Sequence, residues 1–125
     1  MEINVTRHAA ERFFERFGGL LSPEARKAMR GCDARPAIRE VGEYIRTECE
    51  ETRSLLNDTA FMATVLEKYG YGRRYRFFAG GDAVFVGTEN HGMGRIDVVT
   101  VVRSVGTSTA FARCRPRKRF GRPAA

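Results

Sequence analysis

The residues best suited to chemistry in this chain are its two histidines, His8 and His91, and the arginines near them. Histidine can donate or accept a proton near neutral pH, and the arginine guanidinium matches the oxygens of a phosphate. Metal-free cleavage of RNA needs this combination. One group takes the proton of the 2′-hydroxyl, another protonates the leaving oxygen, and cations stabilise the phosphate. The sequence therefore contains the residue types that such a reaction needs.

The spacing of His8, Arg12 and Arg16 places them on one face of a helix. The opposite face is apolar, with Ala10 and three phenylalanines, and can pack on a core. We expect His8 to act as base or acid, the arginines to hold phosphate, and a tyrosine or the second histidine to complete the proton transfer. The candidate catalytic residues are His8, Arg12, Arg16, Tyr75, Arg76 and His91. The alternative is a solvated helix face of ion pairs with Glu11 and Glu15.

The net charge of +7 is concentrated at the C-terminal end. Residues 113–125 contain Arg113, Arg115, Arg117, Lys118, Arg119 and Arg122 and no acid; without these six, 16 basic residues face 15 acidic ones. We expect residues 1–112 to form one domain and residues 113–125 to form a basic, flexible tail, which is too poor in apolar residues to fold alone. Such a tail can contact nucleic-acid phosphates without reading sequence, and Arg74 and Arg103 are further candidates for these contacts. The alternative is a solubilising end.

Composition argues against several other classes of protein. The chain has no apolar run of membrane-spanning length and no signal segment, so we expect a soluble, cytoplasmic protein without membrane contact. Its cysteines (Cys32, Cys49 and Cys114) fit no metal-binding spacing, which favours free thiols. Phosphate-loop, dinucleotide-binding and zinc-protease motifs are absent. We therefore expect neither a metal nor a cofactor.

Helix signals dominate the first half of the chain. Thr6 is suited to cap the first helix, and Gly18-Gly19 to end it. Ser22-Pro23 predicts the start of a second, short helix. A third begins at Arg35-Pro36 and is expected to continue to Asn57-Asp58, with an apolar face of Ile38, Val41, Ile45 and Cys49.

The second half alternates with the period of strands. Residues 73–79, 83–88 and 95–103 predict an antiparallel meander, with a tight turn at Gly80-Gly81-Asp82. Residues 1–5 predict a short edge strand, and Ala110-Phe111 another. Residues 61–69 fit either helix or strand, and the neighbouring sheet favours strand. The result is an α+β fold whose N-terminal helices pack on one face of a small antiparallel sheet. The face with Arg74, Arg76 and some of Thr88, Thr100 and Arg103 is a candidate for an open face, but the pattern does not decide which side of the strands points outward.

The segment Arg7-His-Ala-Ala-Glu-Arg-Phe-Phe-Glu-Arg16 resembles the H-A-x-x-R-x-x-x-R opening of small bacterial and phage proteins related to RelE-like toxins. Residues 74–77, 84–86 and 98–102 resemble their closing strands, so the resemblance covers about half of the chain. It implies a RelE-like or barnase-like layout and a toxin ribonuclease that an antitoxin or host protein neutralises. His8, Arg12 and Arg16 match the motif, and Arg76 and Thr100 match loosely. The long segment 22–69 and the basic tail depart from the pattern.

Three hypotheses follow. The first is a metal-independent, toxin-like ribonuclease. The second is a non-catalytic accessory protein of a phage or mobile element, which binds nucleic acid or a host protein. The third is a subunit of a larger assembly that uses a sheet edge as its interface. A nuclease requires His8 in a cleft beside arginines, whereas a binding module lets it face solvent. The oligomeric state is not predicted.

Overall fold

The computed structural model describes residues 2–103, which form four α-helices and one five-stranded sheet. The helices are α1 (Arg7–Phe17), α2 (Pro23–Arg30), α3 (Arg35–Glu48) and α4 (Thr59–Tyr69). The strands are β1 (Glu2–Val5), β2 (Glu50–Thr52), β3 (Tyr75–Gly80), β4 (Ala83–Asn90) and β5 (Arg95–Arg103). Short 3₁₀ turns lie at Gly18–Leu20 and Ser54–Asn57. The fold class is α+β, as the sequence predicts.

The sheet has the order β1-β5-β4-β3-β2 and is mixed. Strands β2 to β5 pair antiparallel, whereas β1 pairs parallel with β5, from Glu2 opposite Arg95 to Val5 opposite Val98. The prediction of a purely antiparallel sheet is wrong at this pair. The chain passes from β1 directly into α1 and forms β5 only after all the other elements. Two parallel strands need such a long connection through a helix, whereas antiparallel strands can be joined by a hairpin.

Helices α1 and α3 pack on one face of the sheet, as predicted for the N-terminal helices, and α2 packs against these two helices. Their shared core contains Phe13 and Ile45 from the helices and Phe85 and Val98 from the strands. The predicted caps are confirmed, because the hydroxyls of Thr6 and Ser22 accept hydrogen bonds from the first turns of α1 and α2. Helix α3 ends at Glu48 rather than at Asn57-Asp58, and the chain forms the unpredicted edge strand β2.

The opposite face of the sheet is covered, not open. Helix α4 packs there with Leu55, over Phe77, Val84 and Val86. Residues 59–69 are therefore helical, and the preference for a strand is wrong. The carboxylate of Asp58 caps this helix by accepting a hydrogen bond from the backbone N–H of Phe61 at 3.0 Å. Because β2 already pairs with the outer edge of β3, residues 59–69 cannot pair with β3 as a further strand.

A β-bulge in β5 changes which residues face α4. Val86 pairs with Thr100, but the next residue, Gly87, pairs with Val98, so Val99 is the extra residue. Val99 packs against the α4 core, and Thr100 lies opposite Val86, a member of that core. The bulge therefore keeps Thr100 on the α4 face of the sheet while Val98 and Val101 remain in the other core.

Some predictions lie outside the described residues: the strand at Ala110-Phe111, the thiol of Cys114 and the tail at 113–125. Cys32 is exposed and Cys49 is half-buried, and no disulfide links the two. Within residues 2–103, no helix has both the length and the apolar character needed to cross a membrane.

Candidate functional site

A groove of about 240 Å³ lies between α1 and α4, along the second half of β5. We name it the α1–α4 groove. Its polar lining residues are His8, Arg12, Arg16, Thr64, Lys68, Tyr69 and Thr100, and its apolar lining residues are Phe61, Val65, Val86 and Val102. None of the described lining residues is acidic. His8 and two of the three arginines of α1, Arg12 and Arg16, therefore share one concave site with residues from the opposite layer of the fold.

Helix α1 presents its three groove residues in a row. His8, Arg12 and Arg16 are four positions apart, and a rise of about 1.5 Å per residue spreads them over about 12 Å of helix. The start of the helix is fixed to β5, since the Thr6 hydroxyl donates to the carbonyl of Val98 at 2.8 Å. Farther along, the Arg16 guanidinium donates to the carbonyl of Val101 at 2.7 Å. Because β1 pairs with β5 only as far as Val98, α1 lies beside the rest of that edge.

The charge in the groove is largely uncompensated. Arg12 pairs with Glu15 at 2.6 Å, but both side chains are on the surface, where such pairs contribute little. Arg16 is bonded to a backbone carbonyl and keeps its full charge. Within residues 2–103, neither His8 nor Lys68 forms an ion pair. Four cationic or protonatable groups therefore face a site with no carboxylate among its described walls, which suits an anion.

Arg76 lies in a different pocket, near the opposite edge of the sheet. Its guanidinium donates to Glu51 through Nε and Nη2 and to Glu89 through Nη1, the last at 3.1 Å. The hydrogen bond with Glu51 raises the pKa of Arg76 and lowers that of Glu51. The two carboxylates already neutralise Arg76, and it does not join His8 in the α1–α4 groove.

Tyr75 and His91 also lie outside the groove. Tyr75 is buried, its hydroxyl donates to the carbonyl of Gly70 at 2.6 Å, and burial raises its pKa. Its hydroxyl thus holds the turn that follows α4. His91 is exposed in the β4–β5 turn, with Nε2 3.0 Å from a carboxylate oxygen of Glu89. The structure therefore brings together His8, Arg12, Arg16 and Thr100, and places Tyr75, Arg76 and His91 elsewhere.

The predicted phosphate contacts are also dispersed. Arg74 is exposed and lines the same pocket as Arg76. Arg103 is exposed at the end of β5, donates to the backbone carbonyl of Arg16, and stacks over the Phe17 ring at 4.7 Å. It therefore lies against the last turns of α1. The tail residues Arg113, Arg115, Arg117, Lys118 and Arg119 are outside the described residues.

Sequence reasoning missed the contribution of α4, which supplies Thr64, Lys68 and Tyr69 to the groove. The omission follows from treating residues 61–69 as a strand. One available signal was Asp58, an N-cap residue placed before a run with helical spacing at Phe61 and Val65.

This arrangement can bind a phosphodiester and move a proton beside it. Arginine and lysine supply the charge, and His8, Lys68 and Tyr69 carry exchangeable protons. No known protein family, characterised protein or solved structure gives a significant match to this chain. Its function is therefore argued from the groove.

Proposed function

We propose that this chain is a small metal-independent ribonuclease of the RelE-like toxin type that binds and cleaves RNA in the α1–α4 groove. The observation that carries the proposal is the meeting of His8, Arg12, Arg16 and Lys68 in one groove whose described lining contains no acidic residue. At about 240 Å³ the groove is smaller than the pockets of about 300–1,000 Å³ that take drug-sized ligands. It suits one phosphodiester unit of a strand rather than a folded RNA.

In this proposal His8 takes the proton of the ribose 2′-hydroxyl while the 2′ oxygen bonds to phosphorus. The bond from phosphorus to the 5′ oxygen breaks, and the leaving oxygen takes a proton from Lys68 or Tyr69. Arg12 and Arg16 bind the non-bridging oxygens, on which negative charge grows in the transition state. The products are a 2′,3′-cyclic phosphate and a 5′-hydroxyl end.

The test is cleavage of RNA by the purified protein in EDTA, with His8→Ala beside the wild type. General acid–base catalysis contributes about 10²- to 10⁴-fold, so His8→Ala is expected to slow cleavage by at least about 100-fold. His91→Ala is the matched control, because it removes the other histidine, which is exposed in a distant turn. Equal activity of the wild type and His8→Ala would disprove the assignment of His8.

RNA binding without cleavage is the second candidate, and one observation favours it. His8 is exposed, and within the described chain its imidazole takes part in no hydrogen bond or ion pair, so no described partner fixes the ring. An accessory protein that binds nucleic acid needs only the cations. Arg12-dependent RNA binding with no cleavage in EDTA would identify this function. A neutralising antitoxin or a host protein is the proposed protein partner in either case.

A further inference from the structure

A second basic pocket lies on the other side of α4. It has a volume of about 320 Å³, and its described cationic lining includes Arg53, Arg73 and Arg74. Helix α4 divides its side chains between the two sites: Val65 and Lys68 face the α1–α4 groove, while Met62 and Leu66 line this second pocket. We name it the arginine pocket. The two sites therefore lie side by side, separated by one helix about 10–12 Å wide.

The arginine pocket also contains Glu51 and Glu89, but both carboxylates bind Arg76. Arg53, Arg73 and Arg74 are exposed, and within residues 2–103 they form no ion pair. Three guanidinium groups thus remain available at the mouth of the pocket. Arginine forks bind phosphate oxygens in pairs, so the pocket has the chemistry for a second phosphate.

The turn between α4 and β3 joins the two sites. Gly70 and Gly72 have positive φ angles of 105° and 81°, and Tyr71 lies between them. Tyr71 is 76% exposed, the highest value among the exposed large apolar residues of the described chain. The backbone on either side is held: Tyr75 bonds to the carbonyl of Gly70 at 2.6 Å, and the carbonyl of Arg74 accepts from Glu89 at 2.9 Å. A fixed backbone thus presents an exposed aromatic ring two positions before Arg73 in the chain.

We propose that the arginine pocket is a second subsite for single-stranded RNA, which binds the nucleotides next to the phosphodiester held in the α1–α4 groove. Arg53, Arg73 and Arg74 bind the phosphates, and Tyr71 stacks on a base, the combination that single-strand binders use. The strand crosses the end of α4 over the Gly70–Gly72 turn. The inference rests on the proposed function, because it assigns the same RNA strand to both sites. An acidic protein segment offers carboxylates but no bases to stack on Tyr71.

The experiment measures binding rather than cleavage, so it does not require an active enzyme. A fluorescein-labelled 2′-O-methyl-uridine decamer, which lacks the 2′-hydroxyl nucleophile, is titrated with the full chain at several salt concentrations. Replacing both Arg73 and Arg74 by alanine is expected to weaken binding about tenfold. It should also flatten the plot of log Kd against log salt by about 1.4, or about 0.7 per lost phosphate contact. Tyr71→Ala is expected to weaken binding about fivefold or more without changing the salt slope.

Arg39→Ala, an exposed arginine on α3 in the opposite layer, is the control and should bind as the wild type does. Wild-type affinity of the Arg73/Arg74 double variant would overturn the subsite. Weakened binding by Arg12→Ala in the same titration would still support RNA binding in the α1–α4 groove. If Arg12→Ala also binds normally, the proposed function fails as well. Displacement of the decamer by polyglutamate of equal charge, with no effect of Tyr71→Ala, would show an acidic-peptide site instead and overturn the RNA assignment.

Discussion

At the scale of single residues, the environment of a side chain separates members of one residue type. Arg7 and Arg12 both lie on α1 and both pair with a glutamate one turn away, at 3.1 and 2.6 Å. Arg12 also lines the α1–α4 groove, whereas Arg7 is not among its described lining residues. The ion pairs are equivalent surface contacts of little energy. What distinguishes the two arginines is the groove.

This pair gives a matched prediction. Arg12→Ala is expected to weaken RNA binding about 3- to 10-fold and to lower the salt slope by about 0.7, because one phosphate contact is lost. Arg7→Ala removes the same charge from the same helix and should leave both values unchanged. Both variants should keep the free energy of unfolding within about 0.5 kcal/mol of the wild type. Fluorescence titration and urea unfolding measure the two quantities. Equal loss of affinity in both variants would show that RNA binds through general surface charge and not through the groove.

Sequence reasoning was most successful at this scale for residues of one helix. His8, Arg12 and Arg16 share the groove because their spacing of four places them on one face, which the sequence shows directly. The positions of Tyr75, Arg76 and His91 depend instead on which strands are neighbours and on the pairing of Arg76 with Glu51 from β2. That strand has three residues and no alternating pattern of its own. Periodicity carries no information about such long-range pairing.

At the scale of elements, the fold depends on close approaches that only small residues allow. Gly80 ends β3 against the junction of α3 and β2. A Cβ atom at this position would lie 2.7 Å from the carbonyl oxygen of Glu48 and 2.8 Å from the Cys49 sulfur. Backbone cannot move out of the way as a flexible side chain can. Gly80 therefore sets the distance between the sheet edge and the end of α3.

Gly80→Ala is accordingly expected to lower the free energy of unfolding by about 1–3 kcal/mol, the usual cost of forcing extra atoms into a packed interior. Gly19→Ala is the control, since nothing lies within 4 Å of a Cβ atom there. That substitution should be neutral or stabilise by up to about 1 kcal/mol through the unfolded chain. Urea unfolding of the two variants checks both values. A tolerated Gly80→Ala would contradict the packing at the β2–β3 edge.

The errors in the element predictions share one physical cause. The helical pattern from Arg35 was expected to continue to Asn57, but the acidic stretch at Glu50–Thr52 pairs with β3 instead. Once β2 closes that edge, residues 59–69 become a helix over the second face. Local propensity in both segments is compatible with either state, and tertiary pairing decides between them.

At the scale of the whole molecule, one carboxylate links three strands. Asp97 of β5 accepts from Asn4 of β1 at 3.0 Å, from Asn90 of β4 at 3.1 Å, and from Arg95 at 2.7 Å. Burial acts to raise the pKa of Asp97, but these hydrogen bonds outweigh it, and the pKa is lowered from its ordinary value of 3.8. The ionised form is therefore favoured more strongly in the folded protein than in the unfolded one.

The sign of the pH dependence follows from this. A lowered folded-state pKa contributes stability that is complete above the ordinary pKa of 3.8 and is lost as the pH falls through the lowered value. Asp97→Asn is expected to cost about 1–3 kcal/mol near neutral pH, and a smaller amount in acid. Glu67→Gln, at an exposed position on α4, is the control. Urea unfolding at several pH values measures the difference, and a cost that stays constant in acid would contradict the role of Asp97.

The parallel pairing of β1 with β5 has a consequence for the order of folding. Asn4 and Asp97 are 93 positions apart, and Thr6, which caps α1, bonds to Val98 across a similar separation. Contacts that close such long loops form late, because the loss of chain entropy precedes the gain from the contact. During synthesis on the ribosome, α1 has no sheet edge to lie against until β5 has emerged. The α1–α4 groove therefore takes shape last, after most of the chain has been made.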